Sequence, residues 1–333
     1  MGEGCGKWSH CGPGISGELV TVNGGCVWAT GSVGGGAGIG GAAYADGCDL
    51  TINGGEVHAF GGNYGPGIGA GFKEDFTATI TINGGSVYAR SGENINCGGA
   101  GIGSSYYSAF EGTVIISGGY VEAKSLSGGG AGIGAGEGGN ARNGHVHISG
   151  GTVIIKGSSR NNEGEQGGDG IGTDGNLEIN VAQLVATGDG NGIHATKTLI
   201  VRDGDVAAHG GNCGIRANQV GVSGANTAVT AKATGSGGQA VTAAGDILMS
   251  DGLGVVAPTG GKADGGTVLD RKGKPAREVT ISGAVACGVW VGRTEVTSAN
   301  DDGGTVKAVG KGTCTVYAIA NNGVRSRVKV TVK

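Results

Sequence analysis

Short stretches in which apolar and polar residues alternate recur along the first 260 residues or so, and glycines separate them. The commonest form is I/V-N/S-G-G-x-V-x-A, followed by glycines and then by G-I-G. Each repeat contains three such stretches, L-x-I, V-x-A and G-I, and each is too short to form a stable hairpin alone. The N/S-G-G turns begin at Asn23, Asn53, Asn83, Ser117 and Ser149, and the G-I isoleucines are Ile15, Ile39, Ile68, Ile102, Ile133, Ile171, Ile193 and Ile215.

The repeat length indicates how these stretches pair. The shortest unit is 22 residues, from Ile171 to Ile193 and again to Ile215, and earlier units carry insertions before the second strand. If equivalent strands of successive units stack, each strand pairs in parallel with its copy about 4.8 Å away. The apolar positions then fill a common interior. The pattern predicts an all-β fold, a right-handed parallel β-helix of about nine coils over residues 1–261, with the hand given by the crossover rule.

The alternation changes character after Gly261 and becomes typical of an antiparallel β-sandwich. The segment GGTVKAVGKGTCTVYAIANNGVRSRVKVTVK, with Trp290 fourteen residues before Gly304, resembles the second half of bacterial immunoglobulin-like group 2 domains. The resemblance implies a small Ig-like β-sandwich over residues 262–333. Such domains are spacers in surface adhesins and in secreted carbohydrate-active proteins. A disulfide between Cys287 and Cys314 stays open.

Composition excludes several classes of protein. Glycine accounts for 80 of 333 residues, without the three-residue period of collagen, and so much glycine disfavours helices. The net charge is −4 and the pI about 5.9, which argues against a nucleic-acid partner. No apolar run approaches the length of a membrane span, so membrane insertion is not expected.

The repeats also resemble known families. INGGxVxA…GGAGIG units are similar to the glycine-rich repeats of large bacterial surface proteins and to β-helix carbohydrate-binding proteins of cellulolytic bacteria, some of which bind calcium and acidic polysaccharides. This likeness covers residues 12–260 and concerns mainly the fold. The N-terminus, MGEGCGKWSHCG, has no basic segment followed by an apolar one, and it begins inside a repeat. We expect a segment of a longer secreted or cell-surface protein, with further domains beside it.

The outward positions of the V-x-A strands carry the candidate binding residues. Because Val and Ala point inward, the residue between them points outward, and in-register stacking aligns these positions in rows. Twelve of the fourteen aromatic residues lie in residues 1–120. We expect the aromatic rings to stack on sugar rings, the cations to meet carboxylates or sulfates, and the inserted loops with Tyr64, Phe72, Phe76, Tyr106 and Tyr107 to wall this face. The candidate ligand-binding residues are Trp28, His58, Phe60, Tyr88, Arg90 and Lys124.

Two alternatives remain open at this stage. The inserted loops can fold over the V-x-A or G-I-G strands and bury their aromatic residues as a satellite core. A second surface, with Asp174, His194 and Arg216 near Asp169, holds the residue types of a polysaccharide lyase or hydrolase but none of the specific motifs of those enzymes. Turns such as Asp203-Gly204-Asp205 leave calcium as an open cofactor, and no other cofactor is expected.

These patterns favour a non-catalytic adhesin module. Its expected partner is a polysaccharide or host glycan, neutral or acidic, bound by the N-terminal coils. A structural stalk or a protein-binding adhesin is the first alternative, and an enzyme that degrades polysaccharide is the second.

Overall fold

A computed structural model of the chain describes residues 12–93, 97–140, 142–159, 167–180, 182–250 and 252–283, and the backbone of four further strands between residues 295 and 332. The described residues form strands and no helix. Over residues 12–250 the strands, in chain order, are β1 Leu19–Val22, β2 Cys26–Thr30, β3 Ile39–Gly40, β4 Asp49–Ile52, β5 Glu56–Phe60, β6 Ile68–Gly69, β7 Thr79–Ile82, β8 Ser86–Arg90, β9 Ile102–Gly103, β10 Thr113–Ile116, β11 Tyr120–Lys124, β12 Ile133–Gly134, β13 His145–Ile148, β14 Thr152–Lys156, β15 Ile171–Thr173, β16 Leu177–Asn180, β17 Gln183–Gly188, β18 Asn191–Arg202, β19 Asp205–Gly210, β20 Cys213–Ser223, β21 Ala228–Ala233, β22 Gln239–Ala243 and β23 Ile247–Met249.

Three columns of parallel strands build this part of the molecule, which confirms the parallel β-helix. The L-I column stacks β1, β4, β7, β10, β13, β16, the second halves of β18 and β20, and β23. The V-A column stacks β2, β5, β8, β11, β14, β17, β19 and β21. The G-I column stacks β3, β6, β9, β12, β15, the first halves of β18 and β20, and β22.

The inward residues of the three columns form one continuous core. Ile68, Ile102 and Ile133 of the G-I column are 1 % exposed or less, and so are Val87 and Ala89 of the V-A column. The small alanines and glycines let the three short strands of each coil approach closely enough to exclude water. Burial of these aliphatic columns stabilises the fold by roughly 25 cal/mol per Å² of apolar surface removed from water.

Stacked asparagine side chains hydrogen-bond to one another at the corner of the coil between the L-I and V-A columns. The Asn53 amide donates to Oδ1 of Asn23 at 2.7 Å, and the Asn83 amide donates to Oδ1 of Asn53 at 2.9 Å. The asparagine that precedes Gly-Gly therefore forms a hydrogen-bonded ladder along the helix axis. Its role is structural.

The glycine after the G-I isoleucine is required by the backbone in strands β3, β6, β9 and β12, where it is Gly40, Gly69, Gly103 and Gly134. Gly103 has a φ of +135°, and a Cβ at this position would lie 2.0 Å from the carbonyl oxygen of Gly134 in the next coil. Neither the dihedral angle nor the contact admits a side chain.

Antiparallel strands end the columns at the C-terminal end of the helix. They are β24 Leu253–Ala257, β25 Lys262–Asp264, β26 Thr267–Leu269 and β27 Glu278–Gly283. Strand β27 pairs with β21 of the V-A column, and β26 pairs with β22 of the G-I column. Residues 262–283, which the sequence assigns to the C-terminal module, are thus hydrogen-bonded to the last coil.

Two further antiparallel pairs are described beyond residue 283. They are β28 Glu295–Val296 with β29 Val306–Lys307, and β30 Gly312–Ile319 with β31 Arg325–Val332. Trp290 and Cys287 lie outside the described residues. The Ig-like sandwich therefore stays a prediction.

Candidate functional site

Three predicted site residues stack their rings on the outward surface of the V-A column, which we call the V-A face. Strand register places Trp28 opposite His58 and His58 opposite Tyr88. The ring centroids of Trp28 and His58 are 3.9 Å apart with an interplanar angle of 8°, and those of His58 and Tyr88 are 4.7 Å apart with an angle of 12°. The period-2 pattern aligned these residues, because the parallel register repeats the same outward position in every coil.

This stacking changes what the rings can offer a ligand. His58 lies between two rings, and only 15 % of its side chain is exposed. A sugar ring therefore has no free face of His58 to stack on, and the expected flat platform of several ring faces is absent from this part of the described structure. Trp28 is 66 % exposed, and one face of its indole is not covered by His58. Among the residues that the structure describes, the V-A face presents the exposed indole of Trp28 and a row of ring edges.

Neighbouring polar groups fix the ring orientations. The Trp28 indole Nε1 donates to the Cys26 thiol at 3.1 Å, and the Glu56 carboxylate lies 2.8 Å from Nε2 of His58. Phe60, in the next outward row, has its centroid 6.0 Å from Trp28 and 6.3 Å from His58. Phe60 thus supports the stack from the side and is itself only half-buried.

Two cations share one carboxylate on the following coils. Arg90 Nη2 and Lys124 Nζ each lie 2.9 Å from Oε1 of Glu122. Burial alone would raise the pKa of Glu122, but the hydrogen bonds and charges of Lys124 and Arg90 outweigh it and hold the pKa below its ordinary value. Glu122 is therefore ionised at neutral pH and positions both cations.

The charge at this end of the V-A face is positive overall. Register places Lys156 directly opposite Lys124, so three cations, Arg90, Lys124 and Lys156, occupy consecutive coils of one outward row. The outward residues of β8, β11 and β14 include one carboxylate, Glu122. Burial and the nearby charge of Glu122 raise the pKa of Tyr120, which stays a neutral hydroxyl. An anionic ligand would relieve the repulsion between the stacked cations.

The aromatic residues of the inserted loops pack on one another and on the core. The loop between β5 and β6 carries Tyr64, and the loops between the G-I and L-I strands carry Phe72, Phe76, Tyr106, Tyr107 and Phe110. Phe76 and Phe110 are fully buried, and their rings stack with centroids 5.7 Å apart. Phe72 is 6 % exposed and contacts Tyr64 at a centroid distance of 4.8 Å. Phe76 and Phe110 thus belong to the common core of the coils, whereas Tyr64, Phe72 and Tyr106 pack on one another. These contacts give no support to the expectation that the loops wall the V-A face.

The second candidate surface is assembled differently from the expectation. Register places His194 opposite Arg216, but the carboxylate beside His194 belongs to Asp169, whose Oδ2 lies 3.1 Å from Nδ1. The backbone carbonyl of Asp174 accepts a hydrogen bond from the Thr196 hydroxyl. Asp169 also accepts two hydrogen bonds from Asn191, at 2.7 and 2.8 Å, which explains its fixed position.

The sequence carried a usable signal for Asp169. Asp169 stands two residues before Ile171, at the start of β15, where it contacts Asn191 of the next coil. Asp174 comes directly after β15. The arrangement holds one imidazole, one carboxylate and one neighbouring guanidinium. Within the described ranges, no group of three or more His, Cys, Asp or Glu side chains is placed to hold a metal ion.

No helix in the described residues is long and apolar enough to cross a membrane. A family model described as a beta helix repeat matches residues 20–43, 50–72, 80–106 and 114–137. No curated protein and no solved structure matches the chain. The four matched segments coincide with the coils that carry the aromatic stack and the inserted loops, and in these coils the chain is similar to beta helix repeats.

Proposed function

We propose that the chain is a non-catalytic module of a secreted or cell-surface protein and that its V-A face binds carbohydrate. In this proposal a right-handed helix of about nine coils carries the binding face, and an Ig-like domain follows it as a spacer. The ligand is an acidic polysaccharide that lies along the helix axis.

The observation that carries the proposal is the order of groups along the V-A face. An exposed indole, Trp28, is followed within a few coils by Arg90, Lys124 and Lys156. Pyranose rings pair an apolar face with hydroxyl and carboxylate groups, so an open aromatic face beside cations suits them. Glu122 strengthens the site because it fixes two cations in place before any ligand arrives, which lowers the entropy lost on binding.

The test is a titration of the protein with polygalacturonate, with and without calcium, followed by calorimetry. We expect binding that weakens as salt is added, because the cations contribute through screened charges. Trp28→Ala should weaken binding about tenfold, and Lys156→Gln should weaken it and reduce the salt dependence. Val185→Ala is the matched control, since Val185 is exposed in the corresponding row of a later coil.

The alternatives predict other outcomes. A structural stalk or protein-binding adhesin would show no binding to any polysaccharide on a glycan array and no ligand-dependent shift in melting temperature. An enzyme at the Asp169–His194 contact would release reducing sugar or unsaturated products from a polysaccharide, and Asp169→Asn with His194→Ala would abolish that release.

A further inference from the structure

One corner of the early coils holds residues in a left-handed backbone conformation. Tyr44, Lys73, Tyr107 and Gly138 have φ values of 62°, 59°, 57° and 66°. Each is the fifth residue after a G-I isoleucine, so the four occupy the same position in four successive coils. We call Tyr44, Lys73 and Tyr107 the corner column.

This conformation is costly for the first three residues. A left-handed φ suits glycine, and a residue with a bulky side chain pays roughly 1 kcal/mol or more to adopt it. Gly138 shows that the corner accepts glycine in this fold. The side chains of the corner column are therefore not needed to make the turn.

The two tyrosines are also exposed. Tyr44 is 51 % exposed and Tyr107 is 65 % exposed, whereas Phe72, between them in the chain, is 6 % exposed. The loop phenylalanines are thus buried, while these two tyrosines present their rings to solvent. Exposed aromatic residues on a strained backbone suggest a binding role.

Contacts on their inner sides hold both rings in place. The Tyr44 N–H donates to the carbonyl of Phe72 at 2.8 Å, and its ring meets the Phe72 ring edge-on at 6.0 Å. The Tyr107 ring meets Tyr106 edge-on at 4.4 Å. It also lies against the backbone of Gly138, where an added Cβ would be 3.1 Å from the ring. Each ring is therefore oriented before a ligand arrives.

Charged groups around the corner column favour a neutral ligand over a polyanion. Lys73 is exposed, and its ammonium lies 5.4 Å from the Phe72 centroid. On the same loops, the Asp46 carboxylate accepts the Thr77 N–H at 3.1 Å, and the Asp75 carboxylate accepts the Ala109 N–H at 2.6 Å. These carboxylates would repel a polyanion, but they tolerate hydroxyl groups.

We propose that the corner column is a second carbohydrate site, which binds a neutral, extended polysaccharide along the helix axis. Tyr44 and Tyr107 lie two coils apart, about 10 Å at the spacing of parallel strands. In a β-1,4-linked chain the same face of the sugar recurs at every second residue. Alternate sugars would stack on the two tyrosines, and Lys73 would donate a hydrogen bond to a hydroxyl group of the sugar between them.

The experiment uses the complete chain with cellohexaose, xylohexaose and polygalacturonate, titrated by calorimetry. The main variant is Tyr44→Gly/Tyr107→Gly, since glycine is the residue that this backbone favours and the fold is expected to persist. A urea denaturation curve checks the fold. We expect the variant to lose affinity for a neutral oligosaccharide about tenfold or more. Leu248→Ala, at an exposed apolar position of β23 in the L-I column, is the matched control and should retain it.

The outcomes separate this site from the V-A face. Loss of neutral binding in the tyrosine variant, with binding retained in Leu248→Ala, supports the corner column. The proposal is overturned if neither neutral oligosaccharide binds the wild-type protein, or if the folded tyrosine variant binds it unchanged. Polygalacturonate binding that depends on the two tyrosines would overturn the neutral assignment.

Discussion

The early coils, residues 12–140, and the late coils, residues 167–250, share one set of hydrogen-bonded columns but differ at their corners. In the early coils, loops of several residues separate the G-I strand from the L-I strand. In the late coils three residues connect β15 to β16 and β22 to β23, and in β18 and β20 the two strands join into one. A register shift between Ala195 and Thr198 is all that remains of the corner.

The comparison separates what the fold requires from what it tolerates. Both regions bury their inward residues to the same degree, as Ile102 and Ile193 show at 0 % exposure. The aromatic residues, the left-handed corner and the stacked rings belong to the early coils. The columns fix the fold, and the corners and outward rows are free to carry binding groups.

The largest expected effect is at a backbone glycine of the early coils. Gly103→Ala places a Cβ against the Gly134 carbonyl in a backbone conformation that alanine rarely adopts. The neighbouring strand cannot move away without breaking the G-I column. We expect a loss of about 4 kcal/mol or more in the free energy of unfolding, measured by urea denaturation. A loss below about 1 kcal/mol would show that the G-I column is loosely packed.

The next effect tests the buried aromatic pair Phe76 and Phe110, which has no counterpart in the late coils because residues 167–250 contain no aromatic residue. Phe110→Ala removes a fully buried ring that stacks on Phe76 and lies against Gly144 of the next coil. We expect the free energy of unfolding to fall by about 3 kcal/mol. Phe110→Leu retains much of the volume and should cost less than half as much. Equal losses in the two variants would mean that ring stacking, rather than volume, stabilises the corner.

Much of the fold was predictable because it depends on period and register alone. The alternation in V-x-A identified the inward residues, and a parallel register then aligned Trp28, His58 and Tyr88 without knowledge of any distance. The outcome was less predictable where it depended on three-dimensional packing. Nothing in the spacing of Phe72 or Tyr107 shows which side of the coil a loop folds over. The sequence also did not show that the rings of Trp28, His58 and Tyr88 stack on one another and so cover their own faces, because periodicity does not determine side-chain torsions.

A smaller effect on the free energy of unfolding is expected at the ion pairs. Glu122→Gln leaves Arg90 and Lys124 without their shared carboxylate, and we expect a loss of about 1 kcal/mol at neutral pH. Since the folded state lowers the pKa of Glu122, this contribution is fully present above the unfolded pKa, about 4.3. It is lost as the pH falls through the lower folded-state pKa. Urea denaturation of wild type and variant between neutral and acidic pH measures the difference.

The exposed pair Lys232–Glu278 at the last coil is the control for that measurement. Its nitrogen and oxygen are 3.1 Å apart, but both side chains are about half exposed. Glu278→Gln should change the free energy of unfolding by less than about 0.5 kcal/mol at neutral pH. If both variants lose the same amount, the burial of Glu122 contributes nothing to its pairing.

The smallest effect returns to a glycine, now in the late coils. Gly221 occupies an outward position of the L-I column, and the nearest atom to an added Cβ is the Leu199 carbonyl oxygen at 3.9 Å. Its backbone is not left-handed, so alanine fits without strain. Gly221→Ala should leave the free energy of unfolding unchanged or raise it by about 0.5 kcal/mol, because alanine lowers the conformational entropy of the unfolded chain. The opposite signs at Gly103 and Gly221 would show that the backbone requires glycine in the early G-I column, whereas the late L-I column also accepts alanine. A loss of stability in Gly221→Ala comparable to that in Gly103→Ala would contradict this division, because an added Cβ has a close backbone contact only at Gly103.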